Sequence, residues 1–214
     1  MTNTQKNIVI GTVLGDSYLA LAKSGNTHLQ IKQSNEHKDY VFWFYEKLKS
    51  LCSGEPRQRK DNNQWILNSS FSNELNELRN WFYPQGKKII PQNISELLTS
   101  PLSLAVWFMD DGTLDYRYKD HCAFHLCTNC FSREDTMRLT DTLRKNFDVA
   151  ATVHYTLCRG KRHARIYIGA PGRDQFISLV QPYILNCFKY KLPQFRHPSE
   201  TQPHGLDGIA MKLQ

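Results

Sequence analysis

Two stretches of the chain, residues 8–17 and 104–112, are apolar for about two helical turns and then reach a carboxylate, Asp16 or Asp111. The pattern predicts two short buried helices that each end near the acidic residue. An aspartate at the C-terminal end of a helix faces the negative pole of the helix dipole, which is locally unfavourable. Local rules are most often broken at functional sites, and this rule is broken twice. If the two helices pack together, a divalent cation would relieve both the dipole effect and the repulsion between the carboxylates.

For either carboxylate alone, a turn is the simpler interpretation, because Asp-Gly pairs are common in hairpins and helix ends. The rest of the chain favours a repeat. Each half has the order helix, hairpin, helix, hairpin, helix, and each closes on lysines before a proline, at residues 87–91 and 189–193. We therefore predict an α+β fold with tandem repeats over residues 1–95 and 96–193 and a C-terminal tail over residues 194–214.

The two apolar helices are expected to pack against each other about a pseudo-twofold axis. Gly11 and Gly15 would allow the backbones to approach closely. The matching positions on the other helix carry the bulkier Val106, Trp107 and Asp110. The pattern predicts an asymmetric, interlocking pair of helices.

Composition narrows the class of protein. The 214 residues are 40% hydrophobic and 22% charged, which is typical of a globular protein, and the net charge of +7 suits a polyanionic partner. No apolar run reaches membrane-spanning length and the first residues carry no secretion signal, so we expect a protein of the cytoplasm or an organelle that is neither secreted nor membrane-bound. The six cysteines are interpreted as reduced thiols.

Residues 104–112 resemble the LAGLIDADG motif, and residues 8–17 resemble a divergent first copy of it. The Lys-Lys-Ile-Ile-Pro and Lys-Tyr-Lys-Leu-Pro closings also match the ends of that family's repeats. The chain is similar, over roughly residues 7–193, to monomeric two-repeat LAGLIDADG homing endonucleases, which act in intron homing. The resemblance implies two αββαββα units that form a saddle, whose antiparallel sheets straddle duplex DNA with a long target site.

The resemblance also implies a set of site residues. The implied catalytic residues are Asp16, Asp111, Lys88, Lys191 and Gln33. The implied cofactor is Mg²⁺, as two or three ions shared between Asp16 and Asp111, with the backbone carbonyls of Gly15 and Asp110 as further ligands. Lys88 lies three residues before its proline and Lys191 two, so Lys87 stays an alternative to Lys88. Thr128 holds the position that corresponds to Gln33, which suggests that the two strand cleavages are not equivalent.

These residue types suit the hydrolysis of a phosphodiester. The reaction adds negative charge to a phosphate that is already anionic, and metal ions and lysines can stabilise that charge. Mg²⁺ is usually held by one or two carboxylates together with substrate phosphates and water. Two aspartates without a cage of histidines and cysteines fit this pattern.

The predicted hairpins would recognise the DNA, because a β-ribbon can enter the major groove. Each candidate could also be an ordinary solvated strand residue. The candidate DNA contacts are His28, Gln30, Lys32, Arg57, Arg59, Arg117, Lys119, His125, His154, Arg162 and Arg165. Two ribbons on each side would cover about two helical turns of duplex.

Three other interpretations stay open at this point. Cys127 and Cys130 have the C-x₂-C spacing of a zinc site, with His121, Cys122 and His125 nearby, but no second well-spaced pair follows. The same scaffold can serve as an RNA-binding splicing cofactor, a maturase, whose partner would be intron RNA. It can also be a DNA-binding regulator that no longer cleaves.

Overall fold

The computed structural model describes residues 1–158 and 160–195, which form two successive αββαββα units. The first unit contains α1 (Asn3–Leu14), β1 (Tyr18–Leu21), β2 (Thr27–Gln33), α2 (Lys38–Leu48), β3 (Arg57–Gln58), β4 (Trp65–Asn68) and α3 (Asn73–Phe82). A short helix, α4 (Ile94–Leu97), precedes the second unit. That unit contains α5 (Pro101–Asp111), β5 (Gly112–Arg117), β6 (His121–Cys127), α6 (Arg133–Phe147), β7 (Thr152–Cys158), β8 (Lys161–Ile168) and α7 (Ala170–Val180).

Both units form a four-stranded antiparallel sheet with the same topology. The strand orders are β1-β2-β4-β3 and β5-β6-β8-β7. Leu29 pairs with Leu19 and Phe124 with Leu114, so the second strand of each sheet carries apolar residues on its helix-covered face. The predicted α+β tandem repeat is confirmed.

Local capping chemistry sets where several helices begin. Ser100 caps α5 and is followed by a proline in the first turn, and Ser72 caps α3. Ser132 opens α6 in a reciprocal capping box. Thr2 and Gln5 form another capping box, so α1 starts well before its apolar stretch.

Helices α1 and α5 pack side by side along a seam between the repeats. A Cβ atom at Gly11 would lie 2.5 Å from the Ser103 carbonyl oxygen and 2.8 Å from Val106 Cβ. A Cβ at Gly15 would lie 2.4 Å from Asp110 Cβ. The predicted interlocking of small and bulky residues is therefore present, and the backbones are too close for any side chain at either glycine.

One apolar core runs through both repeats. It extends from Ile8 on α1 through Trp107 on α5 to Phe176 on α7. The predicted boundary between residues 95 and 96 falls inside α4, where the Asn146 side chain donates to the Ser95 carbonyl at 2.7 Å. The repeats thus share their interior.

Two further sequence predictions concern the C-terminal tail and the lack of membrane-spanning segments. Of the predicted tail over residues 194–214, residues 196–214 lie outside the described part of the chain. Within the described residues, no helix combines the length and apolar character needed to cross a membrane.

Candidate active site

The seam places the two aspartates next to each other at the ends of α1 and α5. Helix α1 ends at Leu14, just before Asp16, and α5 ends at Asp111. Neither flanking glycine is left-handed, since Gly15 has φ −90° and Gly112 has φ −81°. Glycine is needed at these positions for space: a Cβ at Gly112 would lie 1.9 Å from the Phe108 ring. Strand β5 begins at Gly112, directly after α5, and β1 begins at Tyr18, four residues after the end of α1.

The two carboxylates have different surroundings. Asp16 is exposed, and Gln33 Nε2 donates to its Oδ2 atom at 3.1 Å. Asp111 is half-buried; burial, and then the nearby negative charge of Asp16, raise the pKa of the Asp111 carboxyl to about 7. Two carboxylates that repel each other in a partly desolvated position favour either a proton or a cation between them.

A lysine from the end of each repeat reaches the C-terminus of that repeat's own seam helix. Lys88 Nζ donates to the carbonyls of Gly15 at 2.8 Å and Leu14 at 3.5 Å. Lys191 Nζ donates to those of Met109 at 2.6 Å and Phe108 at 3.2 Å. Each ammonium group offsets the negative end of a helix dipole and lies beside the aspartates.

The lysine geometry bears on two sequence predictions. Lys87 is exposed while Lys88 contacts the helix end, so Lys88 is the lysine that lies at the site. The Gly15 carbonyl, predicted as a metal ligand, already accepts from Lys88, which a bound metal would have to displace or share. Burial lowers the pKa of Lys88 and lowers that of Lys191 to about 8.

The position equivalent to Gln33 has a structural role in the second repeat. Thr128 is fully buried, and its Oγ1 atom donates to the Ala164 carbonyl at 2.8 Å and lies 3.3 Å from Thr136 Oγ1. The Thr128 hydroxyl therefore forms its hydrogen bonds within the second repeat. Asp16 accepts a hydrogen bond from the Gln33 amide, whereas Thr128 donates none to Asp111.

The side chain of Asp110 is a feature of the site that the sequence did not predict. Its Oδ2 atom accepts from Thr12 Oγ1 at 3.0 Å and from the backbone N–H of Asp16 at 3.3 Å. Thr12 Oγ1 also lies 2.6 Å from Ser17 Oγ. Burial, and then the charge of Asp16, raise the pKa of the Asp110 carboxyl well above its usual range. The sequence contains one sign of this contact: Asp110-Asp111 in the second motif corresponds to Gly15-Asp16 in the first, so only the second motif has a carboxyl before its aspartate.

The oxygen ligands at the seam fit a hard divalent cation held jointly with a substrate. Within residues 1–158 and 160–195, no three His, Cys, Asp or Glu side chains are arranged to hold a metal ion by themselves. A cation at Asp16 and Asp111 would therefore need further oxygens from phosphate and water, as Mg²⁺ commonly does. In the described part of the chain, the cysteines and histidines near Cys127 do not form a metal-binding cluster either, and His121 Nε2 lies 3.3 Å from Asp115 Oδ2.

One face of the first sheet carries most of the candidate DNA-contacting residues of the first repeat. Along β2, Leu29 and Ile31 are buried in the core while His28, Gln30 and Lys32 point to the opposite face. Lys32 pairs with Ile66, which in turn pairs with Arg57, so the side chain of Arg57 shares that face. These polar side chains thus lie on β2 and β3, and the apolar Ile66 of β4 lies between Lys32 and Arg57.

A corresponding face exists on the second sheet. Arg165 pairs with His154 and with Cys127, which places all three on one face, opposite the buried Ile166 and Leu126. The same alternation puts Arg117 and His125 there, and the His154 ring stacks on Tyr167 with centroids 4.2 Å apart.

Arg162 lies on the other face of the second sheet. The strand register pairs it with Leu157, and it alternates with Arg165 along β8, on the side that carries the buried Ile166. Its guanidinium lies 4.0 Å from the centroid of the Tyr155 ring. The sequence suggested Arg162 as a candidate DNA contact near a turn, and the register places its side chain on the face opposite that of Arg165.

Three further predicted contacts have other local roles. Arg59 lies beyond the two-residue β3 and donates through Nε to Asp61 Oδ1 at 2.7 Å, so its charge is paired within the turn. Lys119 is in a left-handed turn conformation with φ 67°, and not in a strand. His125 is buried, and burial followed by the charge of Arg165 lowers its pKa to about 4, which leaves it neutral.

Comparison with known proteins agrees with the geometry. Residues 6–176 match the sequence model of the LAGLIDADG DNA endonuclease family. The chain belongs to this family. In LAGLIDADG terms, α1 and α5 are the two motif helices, and Asp16 and Asp111 stand at their acidic positions.

Proteins similar to this LAGLIDADG protein include endonucleases and an mRNA maturase. DNA endonuclease I-ChuI of Chlamydomonas applanata is 28% identical, over 90% of this chain and 95% of the relative. Cytochrome b mRNA maturase bI2 of Debaryomyces hansenii is 28% identical, over 88% of this chain and 73% of the relative. The solved structure of homing endonuclease I-WcaI bound to its DNA recognition sequence matches with a TM-score of 0.75 and 27% identity, covering 88% of this chain and 85% of that one.

Proposed function

We propose that this protein is a site-specific homing endonuclease that makes a divalent-metal-dependent double-strand cut in a long duplex DNA target. The single observation that carries the proposal is the convergence of Asp16 and Asp111 at the end of the α1–α5 seam, with Lys88 and Lys191 beside them. Relatedness to a named DNA endonuclease and the likeness to a DNA-bound homing endonuclease support the same activity.

The proposed cofactor is Mg²⁺ held by the carboxylates of Asp16 and Asp111. When bound, such an ion supplies charge stabilisation and an activated water at the scissile phosphate. Burial, and then the charge of Asp16, raise the pKa of Asp111 to about 7, and a cation in place of the proton would relieve the repulsion between the two carboxylates. Two carboxylates without a nitrogen or sulfur cage suit this hard ion better than zinc.

The chain's own residues prepare the reaction in three ways. Gln33 orients the Asp16 carboxylate by donating to Oδ2. Lys88 and Lys191, each fixed by two backbone carbonyls, place positive charge where the developing phosphate charge would lie. The polar faces of the two sheets contact the groove and backbone on either side of the cut.

A single chain supplies both halves of this site, so we propose that it acts as a monomer on one duplex. Each repeat contributes one aspartate, one lysine and one sheet. Gel filtration of the protein on its target duplex tests this, and a complex with two protein chains per duplex would contradict it.

The function is tested by selecting targets from a randomised duplex library, scored by cut ends in the presence of Mg²⁺. The wild-type protein is expected to enrich one long sequence. Asp16→Asn and Asp111→Asn should each lose double-strand cleavage by at least about 100-fold while binding the selected duplex with similar affinity.

Asp174→Asn is the matched control, because this exposed aspartate on α7 pairs only with its neighbour Arg173 among the described contacts. It should cleave like the wild type. Full cleavage by both Asp16→Asn and Asp111→Asn would overturn the catalytic assignment, and a bound but uncut library would indicate a DNA-binding protein without nuclease activity.

A maturase function is the second candidate, and the kinship with maturase bI2 is what favours it. The two functions separate in a direct comparison of affinity for structured intron RNA and for the selected duplex. Preference for the duplex, with cleavage, supports the endonuclease; tight RNA binding that accelerates splicing, without cleavage, supports the maturase.

A further inference from the structure

We propose that Asp110 is a positioning residue whose side chain fixes the backbone of Asp16 across the seam. The inference rests on the proposed nuclease function for its effect on cleavage, and on geometry alone for its effect on the backbone. Asp110 belongs to α5 of the second repeat, while its hydrogen-bond donors, Thr12 and the N–H of Asp16, belong to the first repeat.

The contact gives the Asp16 N–H an acceptor that α1 does not supply. Asp16 lies two residues beyond the end of α1 at Leu14; the neighbouring N–H groups of Gly15 and Ser17 donate to carbonyls of α1, those of Gly11 and Thr12. That N–H donates to Asp110 Oδ2 at 3.3 Å. The same oxygen accepts from Thr12 one turn earlier, at 3.0 Å, so two points of the first repeat are tied to one atom of the second.

Only one such carboxyl fits at the seam. The pseudo-symmetric counterpart of Asp110 is Gly15, and a Cβ at Gly15 would lie 2.4 Å from Asp110 Cβ and 2.6 Å from its Oδ2. Asp110 therefore occupies the space that the missing side chain leaves. The side chain of the second repeat alone therefore determines the distance between the helix end at Asp16 and the helix end at Asp111.

A shift of about 0.5 Å in a catalytic group is enough to slow a reaction, so the contact matters for rate more than for DNA affinity. Ser17 strengthens the arrangement, since its hydroxyl lies 2.6 Å from Thr12 Oγ1. The hydroxyls of Thr12 and Ser17 and the Asp16 N–H thus form one network that ends on Asp110.

The test compares Asp110→Ala, which removes the acceptor, with Asp110→Asn, which keeps one acceptor oxygen in a side chain of the same shape. Two readouts are used: single-turnover cleavage of the selected duplex, and hydrogen exchange of the Asp16 amide in the protein alone. Asp110→Ala should slow cleavage by about 10- to 100-fold with DNA affinity nearly unchanged, and should speed exchange at the Asp16 amide by roughly tenfold. Asp110→Asn should stay within a few-fold of the wild type in both.

Thr12→Val removes the Thr12 donor to Asp110 with little change of side-chain shape, and serves if Asp110→Ala does not fold. It should show a smaller change of the same kind in both readouts. Unchanged Asp16 exchange and cleavage in Asp110→Ala, or in Thr12→Val if only that variant folds, would overturn the positioning role. If the wild type cuts no duplex, the nuclease proposal fails, and the exchange measurement alone still decides whether Asp110 holds Asp16.

Discussion

The two halves of the candidate active site share one plan but differ in what surrounds each aspartate. Asp16 is exposed and receives a hydrogen bond from Gln33. Asp111 is half-buried with a pKa raised to about 7, and Thr128, at the position equivalent to Gln33, is used inside its own repeat. A duplicated scaffold can therefore carry two catalytic halves of unequal strength.

The lysines show the same inequality. Lys88 contacts the carbonyls of Gly15 and Leu14, whereas Lys191 reaches Met109 and Phe108, one residue further into its helix relative to the aspartate. Lys191 is only 6% exposed, and Lys88 is less enclosed. The two lysines also differ in position along the chain, since Lys88 lies three residues before its proline and Lys191 two.

Apart from replacement of the aspartates themselves, removal of the lysines should give the largest effects on cleavage. Lys191→Met is expected to slow single-turnover cleavage by about 100-fold, because a fixed positive charge near the phosphate is lost. It should also lower the unfolding free energy by about 1–3 kcal/mol, since the carbonyls of Phe108 and Met109 lose a buried donor. Lys88→Met should lose cleavage with a smaller loss of stability.

Lys87→Met is the control for this pair, because Lys87 is exposed next to Lys88. It should cleave at the wild-type rate. A strong cleavage defect in Lys87→Met, together with a normal rate in Lys88→Met, would contradict the assignment of Lys88.

Replacement of Gln33 and Thr128 should separate catalysis from stability. Gln33→Ala is expected to slow cutting of one DNA strand by about tenfold, with unfolding temperature unchanged, because it frees the Asp16 carboxylate. Thr128→Val should lower stability by about 1–2 kcal/mol through the orphaned Ala164 carbonyl, with normal cleavage by the folded protein. Duplexes labelled on one strand or the other measure the cleavage rate of each strand. If Gln33→Ala and Thr128→Val change these rates and the stability in the same way, the two halves of the site are equivalent.

The pH dependence of kcat/KM should show the titration of Asp111 and the titration of Lys191. Protonation of Asp111 below its pKa of about 7 opposes metal binding, so the rate should fall by about tenfold per pH unit on the acid side. Deprotonation of Lys191 above its pKa of about 8 removes a positive charge, so the rate should fall again on the alkaline side. A profile measured at subsaturating Mg²⁺ that is flat across this window would contradict these roles.

The smallest expected effect is on stability. A carboxyl whose pKa is raised in the folded state destabilises the protein once it ionises, so Asp111→Asn should raise the unfolding temperature by about 2–4 °C on the alkaline side of pH 7 in a metal chelator. The gain should disappear in acid, where the carboxyl is protonated in both states. An unfolding temperature that falls at alkaline pH would show that the charge of Asp111 is stabilising.

The sequence predicted those features that depend on local spacing. The repeat order and the close approach at Gly11 and Gly15 both follow from residue types a few positions apart. The two aspartates were predicted to meet because the two repeats keep the same order of elements.

Features that depend on register or on contacts between repeats were not predicted. The face on which Arg162 lies follows from the exact strand pairing of β7 with β8, which composition does not specify. The burial of His125 depends on the residues that surround it across three strands, including Tyr167. The Asp110 contact joins residues 94 positions apart, and no local pattern encodes it.

The most direct test of the central claim is a crystal structure of the protein on its selected duplex, with Ca²⁺ in place of Mg²⁺ to hold the complex uncut. The account predicts Ca²⁺ bound by the carboxylates of Asp16 and Asp111 together with oxygens of the scissile phosphates. Cations bound elsewhere, with neither carboxylate among their ligands, would contradict it.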